Sequence, residues 1–167
     1  VTLGAALDVE NTLTLTAGTL DVSATLYGIT VAGSWTDTGA GAFTERTGTV
    51  TFDGTGTVNA NETFANVTID SAGTVTLGAA LDVENTLTLT AGTLDISATL
   101  YGINVAGSWT DTGAGTLTER TGTVTFDGTG TLSSNETFYN VTVNSAGTVT
   151  LGAALDVDGT LTLTAGT

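Results

Sequence analysis

The chain has 167 residues, 40% of them hydrophobic, enough apolar material for one domain with its own core. Seventeen acidic residues stand against two basic ones, Arg46 and Arg120, for a net charge of −15. Phosphate backbones and anionic headgroups are therefore repelled, and neither nucleic acid nor direct membrane insertion is expected.

Cys and His are absent. That removes disulfides, thiolate metal sites and the side chain that most often moves protons near neutral pH. No run of about 18 apolar residues reads as a membrane span. The chain opens on Val1 with neither an initiator Met nor a signal-like segment. The expectation is a piece of a longer mature protein whose targeting signals lie elsewhere.

The string VTLGAALDV occurs at Val1, Val75 and Val149, so the sequence repeats every 74 residues without insertion or deletion. Residues 1–74 are copy 1, 75–148 copy 2 and 149–167 the start of copy 3. Ten positions differ between the first two copies, among them Val22/Ile96, Phe43/Leu117, Val58/Leu132 and Ala65/Tyr139. Most swaps keep apolar character in place.

Along the chain from Val67, short alternating stretches follow one another. Val67-Thr68-Ile69 leads to 73–77 (GTVTL) and 80–83 (ALDV). Leu87-Thr88-Leu89 leads to 92–96 (GTLDI) and 98–101 (ATLY). Ile103-Asn104-Val105 leads to 107–110 (GSWT) and 115–118 (GTLT). Val124-Thr125-Phe126 leads to 130–133 (GTLS) and 136–139 (ETFY), and the cycle restarts at Val141-Thr142-Val143. Apolar and polar residues alternate in each, the period of a half-buried strand. Thr is β-branched and suits strands; Gly suits the corners between them.

Three strands and three corners in about 18 residues make one coil of a solenoid, since no single coil can bury its apolar side alone. The predicted fold is all-β: a right-handed, three-sided parallel β-solenoid with four coils per 74-residue repeat. Val67, Ile69, Val75, Leu77, Leu81 and Val83 point inward. Nine or so coils at a strand spacing of about 4.8 Å make a rod of about 40 Å. A sandwich or antiparallel barrel is the competing reading. Asp53-Gly54, Asp127-Gly128 and Asp158-Gly159 are hairpin-type turn signals that favour it, but an uninterrupted repeat stacks more readily than it folds back.

The strings GTVTFDGTGT and NETFYNVTVNSAGTVTL resemble the β-helical repeat regions of large secreted surface proteins of bacteria and archaea, in the manner of filamentous haemagglutinin and autotransporter adhesins. The resemblance covers the whole chain. It implies an extracellular or cell-surface location and a role as stalk, fibre or adhesin, and carries over no catalytic residue.

Asp8, Asp82 and Asp156 occupy equivalent positions one repeat apart, about 19 Å along the axis if four coils intervene. Each is a weak metal candidate by itself. A Ca²⁺ ion takes about six to eight oxygens, so Ca²⁺ would be held only weakly, between neighbouring rods; no other cofactor is expected. Paired carboxylates also serve glycoside hydrolysis. A catalytic site breaks a repeat locally, whereas the swaps here are conservative, so no enzyme is expected.

Arg46 and Arg120 are expected to pair with acids of an adjacent coil or filament. Asn61, Asn66, Asn135 and Asn140 begin Asn-x-Thr sequons and are glycosylation candidates. Trp35 and Trp109 read as core fillers, and Tyr27 and Tyr101 as core or as sugar-stacking groups. Thr ranks that would suit an ice-binding face are expected to be broken by Asn66, Asp95, Gly102 and Asn104.

The functional expectation is a stiff rod that self-associates end to end or laterally in an extracellular filament, stalk or surface layer. The alternatives are an adhesin that recognises surface glycans and an ice-binding protein.

Overall fold

A computed structural model describes residues 1–166. It contains strands and turns and no helix. Every strand pairing is parallel, so chain-adjacent segments climb in successive turns and the sandwich and antiparallel-barrel readings fall away. The molecule is a right-handed parallel β-solenoid of about eight turns. Right-handed crossover is the hand that parallel connections take.

Each turn has three faces, here A, B and C. Face A carries the longest column. Leu7 pairs with Ile29, Ile29 with Val50, Val50 with Val67 and Val67 with Leu87. Leu87 then pairs with Trp109, Trp109 with Leu132 and Leu132 with Leu151. This ladder is unbroken over eight levels, about 34 Å from first to last at strand spacing. Successive register partners are 17 to 23 residues apart (Val50 to Val67, Trp109 to Leu132). Corners absorb the difference, so strands stay aligned while coil length varies.

Face B holds Leu13, Trp35, Val58 and Leu77 in register, then Val75, Leu94 and Leu117, then Phe138 with Val157. Face C holds Leu20 with Phe43, then Phe64, Val83, Val105, Phe126, Val143 and Leu163. The apolar member of each alternating stretch points inward. Thus Val67, Ile69, Val75, Leu77, Leu81 and Val83 are all buried, as the alternation requires. Burying such side chains is worth about 1.5–3 kcal/mol each. Edge-on aromatic contacts link faces within the core: Trp35 to Phe43 at 5.0 Å and to Phe64 at 5.1 Å, and Trp109 to Phe138 at 5.2 Å between centroids.

The register refines the count of coils. Each repeat was expected to hold twelve strand segments, but 98–101 falls on a turn at 97–100, in which Ser97 and Leu100 have φ of 65° and 61°. Eleven segments remain, so one repeat winds three and two-thirds turns and four is its rounded value. Two consequences follow. Leu87 stacks on Trp109 rather than on Ile103, which stacks on Leu81. Equivalent residues also step back one face per repeat: Val9 lies on face A, Val83 on face C and Val157 on face B.

The Asp-Gly dipeptides have a different purpose from hairpin formation. Gly54 and Gly128 sit at corners where successive turns touch, and a Cβ there would run into the carbonyls of Ala32 and Ala106 one level below. Glycine is required for close approach.

Candidate functional site

Face rotation separates the three aspartates. Asp8 pairs in register with Thr30 on face A, Asp82 with Thr63 on face C and Asp156 with Thr137 on face B. Asp82 and Asp156 each accept a bond from the threonine hydroxyl one level below, at 3.3 and 3.2 Å. Equivalent carboxylates therefore point in three directions as well as standing a repeat apart. Among the described residues no three carboxylates come close enough to share a metal ion.

The sequons divide into two pairs. Asn61 and Asn135 lie exposed at corners. Asn66 lies within the strand Thr63–Leu77 and Asn140 opens the strand Asn140–Asn144, and both donate their amide nitrogens to the turn below. Asn66 Nδ2 donates to the carbonyls of Thr47 (3.0 Å) and Gly48 (3.2 Å). Asn140 Nδ2 donates to Thr121 O (3.3 Å), and its Oδ1 accepts the Thr160 N–H (3.1 Å). A glycan on Nδ2 would disturb these bonds, so Asn61 and Asn135 are the better-placed acceptors.

Among the described residues the two arginines make the salt bridges, within the coil stack. Arg46 Nε and Nη2 fork onto Asp21 at 2.7 and 2.8 Å, and Arg120 does the same to Asp95 at 2.7 Å for both bonds. Each aspartate also accepts a backbone N–H two residues on, from Ser23 or Ser97. The guanidinium, then the Ser23 N–H, lowers the Asp21 carboxyl to about 2, and Arg120 likewise lowers Asp95. Glu136 moves the other way. Burial is the first cause, with Asp111 and Glu119 adding repulsion against the lowering bond from the Leu117 N–H. That bond, 2.8 Å to Oε2, satisfies a backbone donor where the face B ladder is interrupted between Leu117 and Phe138.

Trp35 and Trp109 are fully buried, as expected of core fillers. Tyr27 and Tyr101 are half-buried beside the turns 23–26 and 97–100.

The hydroxyl ranks differ from the expectation. Of the predicted interruptions, Gly102 and Asn104 belong to face C and Asp95 to face B, because coil phase shifts between copies. On face A the outward column reads Thr30, Thr51, Thr68, Thr88, Thr110, Ser133 over six consecutive levels. Its neighbouring column contains Thr49, Asn66, Thr86 and Ser108, so only Asn66 remains within the strip. Alternation alone could not reveal this column, since it depends on which coil lies over which.

No protein-family model matches this sequence, and neither a curated protein nor a solved structure matches it.

Proposed function

We propose that the chain is a structural rod, a segment of an extracellular filament, stalk or surface layer whose task is length and stiffness. The observation that supports it most is the face A ladder, continuous over eight levels around one apolar core. Such a column resists bending because every level is hydrogen-bonded to the next, and it lengthens by adding repeats without new design. Self-stacking suits the fold itself, because each level presents the strand edges and apolar core that the next level covers.

Electron microscopy of filaments tests this. A rod built from the repeat should rise about 18 Å per repeat with a third of a turn of rotation, returning to register after about 53 Å. Globular monomers at all concentrations, with no lengthening, would remove the self-stacking rod.

A second reading is favoured by the face A hydroxyl column. Six aligned Thr or Ser side chains form a rigid, uncharged strip on an otherwise acidic molecule, the kind of surface an ordered water lattice fits. Thermal hysteresis that disappears in a Thr68→Tyr, Thr88→Tyr double variant would favour ice binding over the structural role. An adhesive role for Tyr27 and Tyr101 is distinguished by a glycan array.

A further inference from the structure

Three departures from the regular solenoid coincide at one place in each repeat. Among the described residues, every non-glycine residue with positive φ belongs to it: Ser23, Leu26 and Arg46 in copy 1, Ser97, Leu100 and Arg120 in copy 2. Leu26 and Leu100, 42% and 41% exposed, are the exposed large hydrophobics away from the rod's ends. Arg46 and Arg120 are the chain's only basic side chains.

The feature is tightly built. Leu26 N–H donates to Ser23 O and Tyr27 N–H to Val22 O, closing the turn. The turn 45–48, closed by the Gly48 N–H on Glu45 O, lies one level above, and the Val22 N–H donates to Thr44 O. Asp21 ties the two turns together by accepting from both Ser23 and Arg46. A left-handed conformation is costly for leucine and free for glycine. Among the described residues glycine occupies five other left-handed positions: Gly18, Gly39, Gly92, Gly113 and Gly166. At 26 and 100 it keeps an exposed leucine instead, in both copies. With 42% and 41% of the residue exposed, neither leucine belongs to the buried core, and backbone strain of this kind clusters at functional contact sites.

We propose that this knob, Leu26 with Tyr27 and Arg46 and its equivalent Leu100 with Tyr101 and Arg120, is the lateral contact by which a second copy of the chain packs alongside the first. The inference rests on the structural-rod function and names how such rods bundle. Charge selects the partner. Two rods of net charge −15 repel along most of their surfaces. At the knob Asp21 and Arg46 neutralise one another around an apolar tip. Arg46 uses Nε and Nη2 on Asp21, which leaves Nη1 to donate to a carboxylate of the neighbouring rod. Rotation sets the geometry. In copy 1 the knob follows face C and in copy 2 it follows face B, so a longer array carries knobs on all three sides and each rod contacts neighbours all round.

Small-angle scattering on the 167-residue chain separates lateral from end-on association, because stacking lengthens a rod without thickening it. The cross-sectional radius of gyration is expected to rise with concentration in the wild type. That concentration dependence should be lost in the Leu26→Gly, Leu100→Gly double variant, which relieves the strain, with the far-ultraviolet circular dichroism unchanged. Protection from hydrogen exchange at 21–28 and 95–102 in concentrated wild type should accompany the thickening. A constant cross-section in the wild type, or equal thickening of the double variant, overturns the proposal. So does binding to a glycan array that the same variant abolishes, since the knob would then face a sugar. Lengthening without thickening leaves the rod function standing and removes only the lateral contact. Thickening without lengthening removes end-on stacking and keeps the knob.

Discussion

Gly54 and Gly128 show how little space separates successive corners. A methyl group there meets the backbone carbonyl of the turn below, and neither corner moves without carrying its whole level. Gly128→Ala should destabilise the fold by about 1–3 kcal/mol, the usual range for overpacking, read as a lower midpoint in urea. Trp109, fully buried against Phe138, should cost about 3–5 kcal/mol on truncation to Ala. The titrating residues act in opposite directions. Asp21 and Asp95 have lowered carboxyls, so the stability they add is present above the ordinary carboxylate range and is lost as pH falls through their folded values, about 2 for Asp21. Glu136 is raised, so its contribution is greatest at low pH and is lost as pH climbs through its folded value. Mild acid also relieves the repulsion among the chain's carboxylates. Thermal melting should therefore be higher in mild acid than at neutrality. The Arg46→Gln, Arg120→Gln variant should move the acid limb upward, toward the ordinary carboxylate range.

At the scale of the element, the turn at 97–100 and the interruption near Glu136 are the informative places. Read by alternation, 98–101 is apolar at Ala98 and Leu100 and looks like a third strand. The structure makes it a turn because Asp95 captures the Ser97 N–H and the chain doubles back, with Tyr101 N–H on Ile96 O. That local competition between a side-chain acceptor and the ladder was written in the sequence as Asp-x-Ser, but a strand-like pattern overlay it. Glu136 fills the place of a missing strand partner by accepting from Leu117. Glu136→Gln keeps an acceptor and removes the charge. It should raise the melting temperature at pH 7 and leave it unchanged at pH 3, where the wild-type carboxyl is already protonated.

For the whole molecule, stability belongs to neighbouring levels rather than to any one coil. The long strands Thr63–Leu77 and Leu81–Asp95 lie in mid-rod, covered above and below, whereas Leu161–Ala165 is exposed throughout. Hydrogen exchange should be slowest across 63–95 and fastest at 149–165, falling off toward both ends. Uniform protection along the rod would contradict a nearest-neighbour solenoid.

The parallel solenoid, its inward-facing set and the core position of both tryptophans were legible from the sequence, because a 74-residue repeat and a two-residue alternation leave few ways to bury apolar side chains. Which coil lies over which was not legible. Register is decided by hydrogen bonds between residues 17 to 23 positions apart, and by corners whose length the alternation does not count. One segment fewer per repeat turned four coils into three and two-thirds. That change sent Asp8, Asp82 and Asp156 to different faces, aligned the hydroxyls of face A and set the knobs a third of a turn apart. Alternation states whether a side chain points in or out, while only the stacked structure decides what stands beside it.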